Sequence, residues 1–198
     1  MKILISILAL TYILFASNQN KINFTNIEKE YISSKTVSFG MIEDYYPFSF
    51  VEEDKITGFS YDYINLIMKK SGLKIKIEMD SWSNILNKFK TKKLDLIDVI
   101  SYKEDRALYT NFSKPYFEIP NVIFARKDEI NNYTGFESLK GKKVGITKDI
   151  YYYDTINDLQ LFELVEFKKS KDKMKALAYG KVDAIFNNLI SGQKYIKR

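Results

Sequence analysis

The strongest constraint on the fold is an alternation of strand and helix patterns that runs through the chain twice. In the first run, strands are predicted over Thr36–Met41 and Lys74–Met79, with a helix between them that ends at Gly72. Lys74 to Met79 alternates between charged and apolar side chains, which is typical of a strand buried on one face. A second helix follows, and then an apolar strand over Leu94–Ile100. This order predicts a parallel sheet covered by helices.

The second run follows an apolar strand over Asn121–Ala125 and a polar segment, residues 127–135, that resembles a linker. Three more strands are predicted, over Lys143–Ile146, Leu164–Phe167 and Val182–Phe186. Between the last two, Met174, Leu177 and Ala178 are predicted to form the apolar face of a helix. The second half therefore has the same strand–helix order as the first.

The two halves also resemble each other in sequence. Phe89–Ile97 parallels Leu177–Ile185, since each segment is a helix end, a short basic turn and an apolar-Asp-apolar-apolar pattern. Asp95 and Asp183 occupy the same place in the two halves, so a shared structural role is predicted rather than a catalytic pair of carboxylates. The predicted fold class is α/β with two similar lobes, which places a ligand cleft between them at the carboxyl ends of the strands.

Two residue types that are missing exclude several kinds of chemistry. The 198-residue chain has no His and no Cys, so no Ser-His or Cys-His nucleophile can be assembled and zinc would lack its usual ligands. No metal site, no cofactor and no enzymatic activity are predicted. The net charge of +6 comes from lysines scattered among acidic residues, so no nucleic-acid partner is predicted.

Residues 1–17 have the pattern of a secretory signal peptide. Lys2 gives a positive start, and the apolar run Ile3–Phe15 is shorter than the ~20 residues of a membrane span. The chain is therefore predicted to be exported. The small-residue cleavage pattern is weak, so an uncleaved anchor is the alternative.

Several motifs resemble the family 3 periplasmic solute-binding proteins. They are Tyr46–Phe50, Ile56–Asp62, Leu94–Ile97, Glu104–Arg106, Asn111–Tyr116, Leu139–Ile146 and Val182–Ala184. The resemblance implies a two-lobed, type II (Venus-flytrap) fold in which each lobe is a parallel-rich sheet flanked by helices. Lobe one is expected over residues 36–126 and lobe two over residues 127–198. The C-terminal return to lobe one is expected to be missing, which would make the isolated chain poorly soluble or only partly folded.

Within that family, the sequence is most similar to the sensor domains of histidine kinases and diguanylate cyclases. Phe24–Ile32 resembles their lead-in helix, which is assigned to residues 18–35. The resemblance implies periplasmic binding of a small polar or anionic, amino-acid-like solute, with a membrane-bound kinase or cyclase module as the partner. One alternative is a free binding protein that serves an ABC permease. The other is a domain of a lytic transglycosylase or a dehydratase-like enzyme.

The resemblance also assigns candidate ligand-binding residues. Arg106 matches an arginine that holds the ligand's carboxylate through two parallel hydrogen bonds. Tyr45 and Trp82 match aromatic positions that sandwich the ligand, although Trp82 shares a helix face with apolar residues and would also fit the core. Ser101 matches a hydroxyl position beside the ligand carboxylate.

Thr147 and Asn188 are also candidate ligand-binding residues, but both stand at places that depart from the family pattern. Asn188 stands where many amino-acid binders have an Asp that pairs with the ligand's ammonium, which puts a zwitterionic amino acid in doubt. Thr147 begins a segment that replaces a Gly- and Thr-rich turn, whose amides usually bind the ligand carboxylate. Within this segment, Asp149 is predicted to cap the helix that follows.

Overall fold

The computed structural model describes residues 22–196 and contains two main sheets, each at the centre of one lobe. The predicted signal peptide, residues 1–17, lies outside the described residues. Within the described range, no helix is both long enough and apolar enough to cross a membrane.

The first lobe is built around a parallel sheet of three strands. Its elements are α1 (Asn26–Ser34), β1 (Thr36–Ile42), β2 (Asp44–Tyr45), β3 (Ser49–Glu52), β4 (Lys55–Thr57), α2 (Phe59–Ser71), β5 (Lys74–Asp80), α3 (Trp82–Lys90), β6 (Leu96–Ile97) and α4 (Glu104–Ala107). β1 lies in the middle, with β5 and β6 parallel to it on either side. β2, β3 and β4 form a separate antiparallel sheet. Gly72 ends α2 in the left-handed conformation, as its position predicts.

The second lobe contains a mixed sheet of four strands. Its elements are β7 (Asn121–Ala125), β8 (Lys143–Thr147), α5 (Tyr153–Asn157), β9 (Glu163–Phe167), α6 (Ser170–Ala178), β10 (Ala184–Asn188) and α7 (Leu189–Gln193). The strand order is β7-β10-β8-β9, and β7 is antiparallel to β10 while the other pairs are parallel. The predicted α/β class with parallel-rich sheets is thus confirmed.

The predicted boundary between the lobes, after residue 126, is wrong. β7 pairs along its whole length with β10, from Ala125 opposite Ala184 to Asn121 opposite Asn188. The first connection between the lobes therefore precedes residue 121. Residues 127–135 are not a linker between the lobes, because Arg126, just before them, donates to carbonyls of Leu177 and Val182 within lobe two. An apolar run reveals that a strand is buried, but it does not reveal which sheet the strand joins.

Asp95 and Asp183 make equivalent contacts, as the internal repeat predicts. Asp95 accepts hydrogen bonds from the backbone N–H and hydroxyl of Ser38, at 2.8 and 2.6 Å. Asp183 accepts one from the backbone N–H of Lys143, at 2.8 Å. Each carboxylate therefore ties the start of one strand to the neighbouring strand of its own sheet, and their shared role is structural.

Each lobe has its own apolar core, which fixes the strand ends that border the cleft. In lobe one, Phe39 and Met41 of β1 pack against Ile64 of α2. In lobe two, Val144 and Ile146 of β8 pack within a larger buried cluster. The predicted strand over Leu94–Ile100 is ordered as a strand only at Leu96–Ile97. The chain then leaves the sheet through Asp98 and Val99, and Val99 has a positive φ of 46°.

Candidate ligand-binding cleft

A cavity of about 1610 Å³ lies between the two lobes, at the carboxyl ends of β1, β6 and β8. It is lined by all six residues that the sequence predicts for a binding site, namely Tyr45, Trp82, Ser101, Arg106, Thr147 and Asn188. The first four come from lobe one and the last two from lobe two. The structure thus brings the six residues to one cavity, and their roles in binding stay predictions.

Arg106 is a buried cation on the short helix α4, with 4% of its surface exposed. Its Nη1 donates to the carbonyl of Ser101 at 3.1 Å, and its Nη2 donates to the carbonyl of Asp149 at 3.0 Å. Burial lowers the pKa of Arg106, but a guanidinium stays charged in proteins. No ion pair within residues 22–196 includes it. The cleft therefore contains a positive charge that has no carboxylate partner among the described residues.

Trp82 is buried and also lines the cavity. It is buried at the start of α3, and the guanidinium carbon of Arg106 lies 5.3 Å from its ring centroid. Its indole N–H donates across the cleft to the carbonyl of Asp149, at 2.8 Å. Trp82 is therefore a wall of the cavity, a neighbour of the cation and a contact between the lobes.

Asp149 does not cap a helix, so that prediction is wrong. Its φ is 59°, in the left-handed region, and α5 begins only at Tyr153 with Tyr152 at the N-cap position. Because the chain turns at Asp149, its carbonyl accepts the hydrogen bonds from Trp82 and Arg106 of the other lobe. The backbone oxygen, rather than the side chain, has the defined role.

Other contacts join the lobes around the cavity. They are Lys103 with Asp154 (2.6 Å), Lys169 with Glu43 (2.8 Å), and Asp44 with the backbone N–H of Lys171 (3.0 Å) and the hydroxyl of Tyr195 (2.8 Å). Because contacts of this kind require the lobes to lie against each other, the structure shows a closed arrangement.

Thr147 lies above a buried lysine that the sequence analysis missed. Lys173 of α6 has no exposed surface, and its Nζ donates to Thr147 Oγ1 at 2.7 Å and to the carbonyl of Phe186 at 2.6 Å. No ion pair in the described part of the chain includes this amine. Burial lowers the pKa of Lys173 to about 7.

Asn188 is buried at the end of β10 and has a structural function. Its Oδ1 accepts a hydrogen bond from the backbone N–H of Ser191, at 3.0 Å, and so caps α7. Its side chain also neighbours the hydroxyl of Tyr45, whose pKa is raised by burial and then by the charge of Asp98. Lobe two thus offers an uncharged amide at this point of the cleft.

Asp98 is a second residue that the sequence analysis missed. It follows β6, lines the cavity and has 3% of its surface exposed. The hydroxyl of Tyr116 donates to its Oδ1 at 3.1 Å. Its Oδ2 has no hydrogen-bond partner among the described residues. Burial raises the pKa of Asp98 to about 6. The sequence signal that could have indicated Asp98 was an acidic residue inside the apolar run Leu94–Ile100.

Curated relatives of the chain are binding proteins for amino acids. It is 27% identical over 180 residues to the probable histidine-binding protein of Campylobacter jejuni, covering 90% of this chain and 70% of that protein. It is 25% identical over 166 residues to the L-cystine-binding protein TcyJ of Escherichia coli, covering 82% of this chain and 62% of that protein. The chain thus spans less than two thirds of the second relative's length.

Solved structures show the same architecture. The arginine-binding protein ArgBP of T. maritima in its holo form superposes with a TM-score of 0.76 at 28% identity, covering 84% of this chain and 75% of that one. A histidine kinase sensor domain with similarity to periplasmic binding proteins gives a TM-score of 0.75 at 25% identity, covering 81% and 71%. Finally, the profile of the bacterial extracellular solute-binding proteins, family 3, matches residues 37–195. The chain belongs to this family of bacterial extracellular solute-binding proteins.

Proposed function

We propose that the chain is an exported, non-enzymatic sensory domain that closes its two lobes over a small polar or anionic, amino-acid-like solute. The observation that carries the proposal is the buried guanidinium of Arg106, which lines a cavity between the lobes without a carboxylate partner. A guanidinium binds a carboxylate through parallel hydrogen bonds, and two of its five N–H donors are used by carbonyls. The remaining donors are sufficient for an anionic group.

The contacts between the lobes suggest how binding would be relayed. Trp82 and Arg106 of lobe one both contact the carbonyl of Asp149 of lobe two. A solute that touches Arg106 would therefore alter contacts that hold the closed state together. The solute shifts the equilibrium between the open and closed states only if it binds one state more tightly than the other, and the size of the shift is set by that difference in affinity.

A ligand screen tests the binding function. L-arginine, L-histidine, L-cystine, L-glutamine and succinate are added to the chain, and thermal unfolding is followed by circular dichroism. At ten times its dissociation constant, a bound solute is expected to raise the melting temperature by about 3 to 5 °C, since it binds the folded state alone. If no compound in this set raises the melting temperature, the proposal is contradicted.

The role as a sensor needs a separate test, because only one of the four relatives named above is a sensor domain and the other three are binding proteins. The proposal expects the gene to continue beyond the codon for Arg198 into a membrane-spanning helix and a kinase or cyclase module. Reading the downstream nucleotide sequence checks this. A stop codon followed by no homologous reading frame, with permease genes alongside, would instead favour a free binding protein of an ABC transporter.

A further inference from the structure

Asp98 is a buried carboxylate in the wall of the cavity whose charge is not balanced. Its surface is 3% exposed, one oxygen is bonded to Tyr116, and the other has no partner among the described residues. No cation lies within 4 Å of it in residues 22–196. A buried carboxylate is costly unless a cation or several hydrogen bonds compensate it. Within residues 22–196, the hydroxyl of Tyr116 donates to this carboxylate, and no cation compensates its charge.

The surroundings of Asp98 are polar and incompletely paired. The Ser60 hydroxyl adjoins Asp98 without reaching hydrogen-bond geometry, and it too is buried with no partner. Ser60 and Tyr45 line the same cavity as Asp98. The charge of Asp98 acts on the Tyr45 hydroxyl, and Asn188 of the other lobe neighbours that hydroxyl. The negative charge of Asp98 and the uncharged amide of Asn188 therefore both act on the same hydroxyl, that of Tyr45.

Building on the proposed function, we propose that Asp98 receives a positively charged group of the solute. The solute class is then a molecule with both charges, an anionic group for Arg106 and an ammonium or guanidinium for Asp98. Arg106 and Asp98 are not paired with each other, so each is available to the solute. The uncharged Asn188 of lobe two had put the binding of a zwitterion in doubt. Under this proposal, Asp98 of lobe one supplies the carboxylate that pairs with the positive group.

Two further facts support this assignment. Burial raises the pKa of Asp98 to about 6, which reflects the cost of a charge at this depth. A cation docked beside it would offset that cost. In contrast, Asp95, three residues earlier, is exposed, and its Oδ2 accepts two hydrogen bonds from Ser38.

The test removes the charge of Asp98 and the positive charge of the solute, separately and together. Isothermal titration calorimetry measures the affinity of each combination. The wild type and Asp98→Asn are titrated with whichever amino acid of the screen binds most tightly, and with its analogue that lacks the α-amino group. For L-arginine, L-citrulline is added because it lacks the side-chain charge. Removing the contacting charge is expected to weaken binding to the wild type about 30-fold. Asp98→Asn is expected to bind the amino acid about 30-fold more weakly than the wild type does. Its affinities for the amino acid and for the analogue that lacks the contacting charge are expected to differ less than threefold.

Controls separate the possible failures. Asp95→Asn should leave affinity within threefold, and thermal unfolding of each variant reports whether it folds. If the wild type binds an amino acid and Asp98→Asn still discriminates against both kinds of analogue, the role of Asp98 is overturned and the binding function stands. A wild type that binds only succinate also overturns it. A wild type that binds none of the compounds removes the proposed function, and the role of Asp98 with it.

Discussion

Replacement of Arg106 by Ala is expected to weaken solute binding by about 10³-fold, or ~4 kcal/mol. The guanidinium is buried, so its loss leaves the anionic group of the solute desolvated without a partner, and removing one side of such a pair typically costs 2 to 5 kcal/mol. The same change removes the hydrogen bonds to the carbonyls of Ser101 and Asp149. The closed arrangement therefore loses a contact between the lobes as well. Calorimetric titration with the amino acid found in the screen measures the effect.

Two companion variants sharpen this test. Arg106→Lys keeps the charge but loses the planar pair of donors, so an intermediate loss of about 10²-fold is expected. Arg126→Ala is the matched control. Arg126 donates to Leu177, Val182 and Glu129 within lobe two, so its loss should lower stability but leave affinity unchanged. Arg106→Ala with affinity within threefold of the wild type would remove Arg106 from the site.

Replacement of Lys173 by Met is expected to stabilise the protein at pH 7 by about 2 to 3 kcal/mol. Burial lowers the pKa of Lys173 from its usual 10.5 to about 7, which corresponds to a penalty of about 4 kcal/mol at pH 7. Met fills a similar volume without an ionisable group. The two hydrogen bonds of Nζ, to Thr147 and the Phe186 carbonyl, are lost at about 1 kcal/mol each. The net change thus favours Met.

The pH dependence of this effect has a defined sign. Between pH 7 and 10.5 the unfolded chain binds more protons at Lys173 than the folded chain does, so the wild type should gain stability as the pH rises through this window. Lys173→Met should lack that gain. Lys175→Met, an exposed change on the same helix, should keep it. Urea unfolding at pH 7 and pH 9.5 measures the free energy of unfolding of all three proteins. If this free energy changed equally with pH in all three, folding would not lower the pKa of Lys173.

Local patterns were sufficient for most of the elements. The strict alternation of Lys74–Met79 is found as β5, and Gly72 ends α2 in the conformation that glycine favours. The repeated Asp95 and Asp183 make the equivalent contacts that the repeat predicts. These features depend on neighbours in sequence or on one adjacent strand, so the sequence contains the information for them.

The helix face of α6 shows where local patterns fail. The apolar face predicted from Met174, Leu177 and Ala178 is found only in part. Leu177 is buried and Met174 packs against the same core cluster, but Ala178 is exposed. Lys173 and Ala176 are buried instead. Hydrophobicity assigns a lysine to solvent, since unpaired lysines are almost never fully buried. Here the amine of Lys173 donates to the hydroxyl of Thr147 on β8 and to the carbonyl of Phe186 on β10. No pattern within one helix could predict both acceptors.

The sequence by itself determined the α/β class, through local periodicity, and the family resemblance, through the order of its motifs. The resemblance in turn implied six of the residues that line the cavity. Only the tertiary structure decided that β7 belongs to lobe two and that Asp149 acts through its carbonyl. It also decided that Asp98 and Lys173 are buried with no ionic partner in the part of the chain that the structure describes. The physical reason is that strand pairing and burial of charge depend on which distant segments meet in space. A short segment does not encode the partners that folding brings to it.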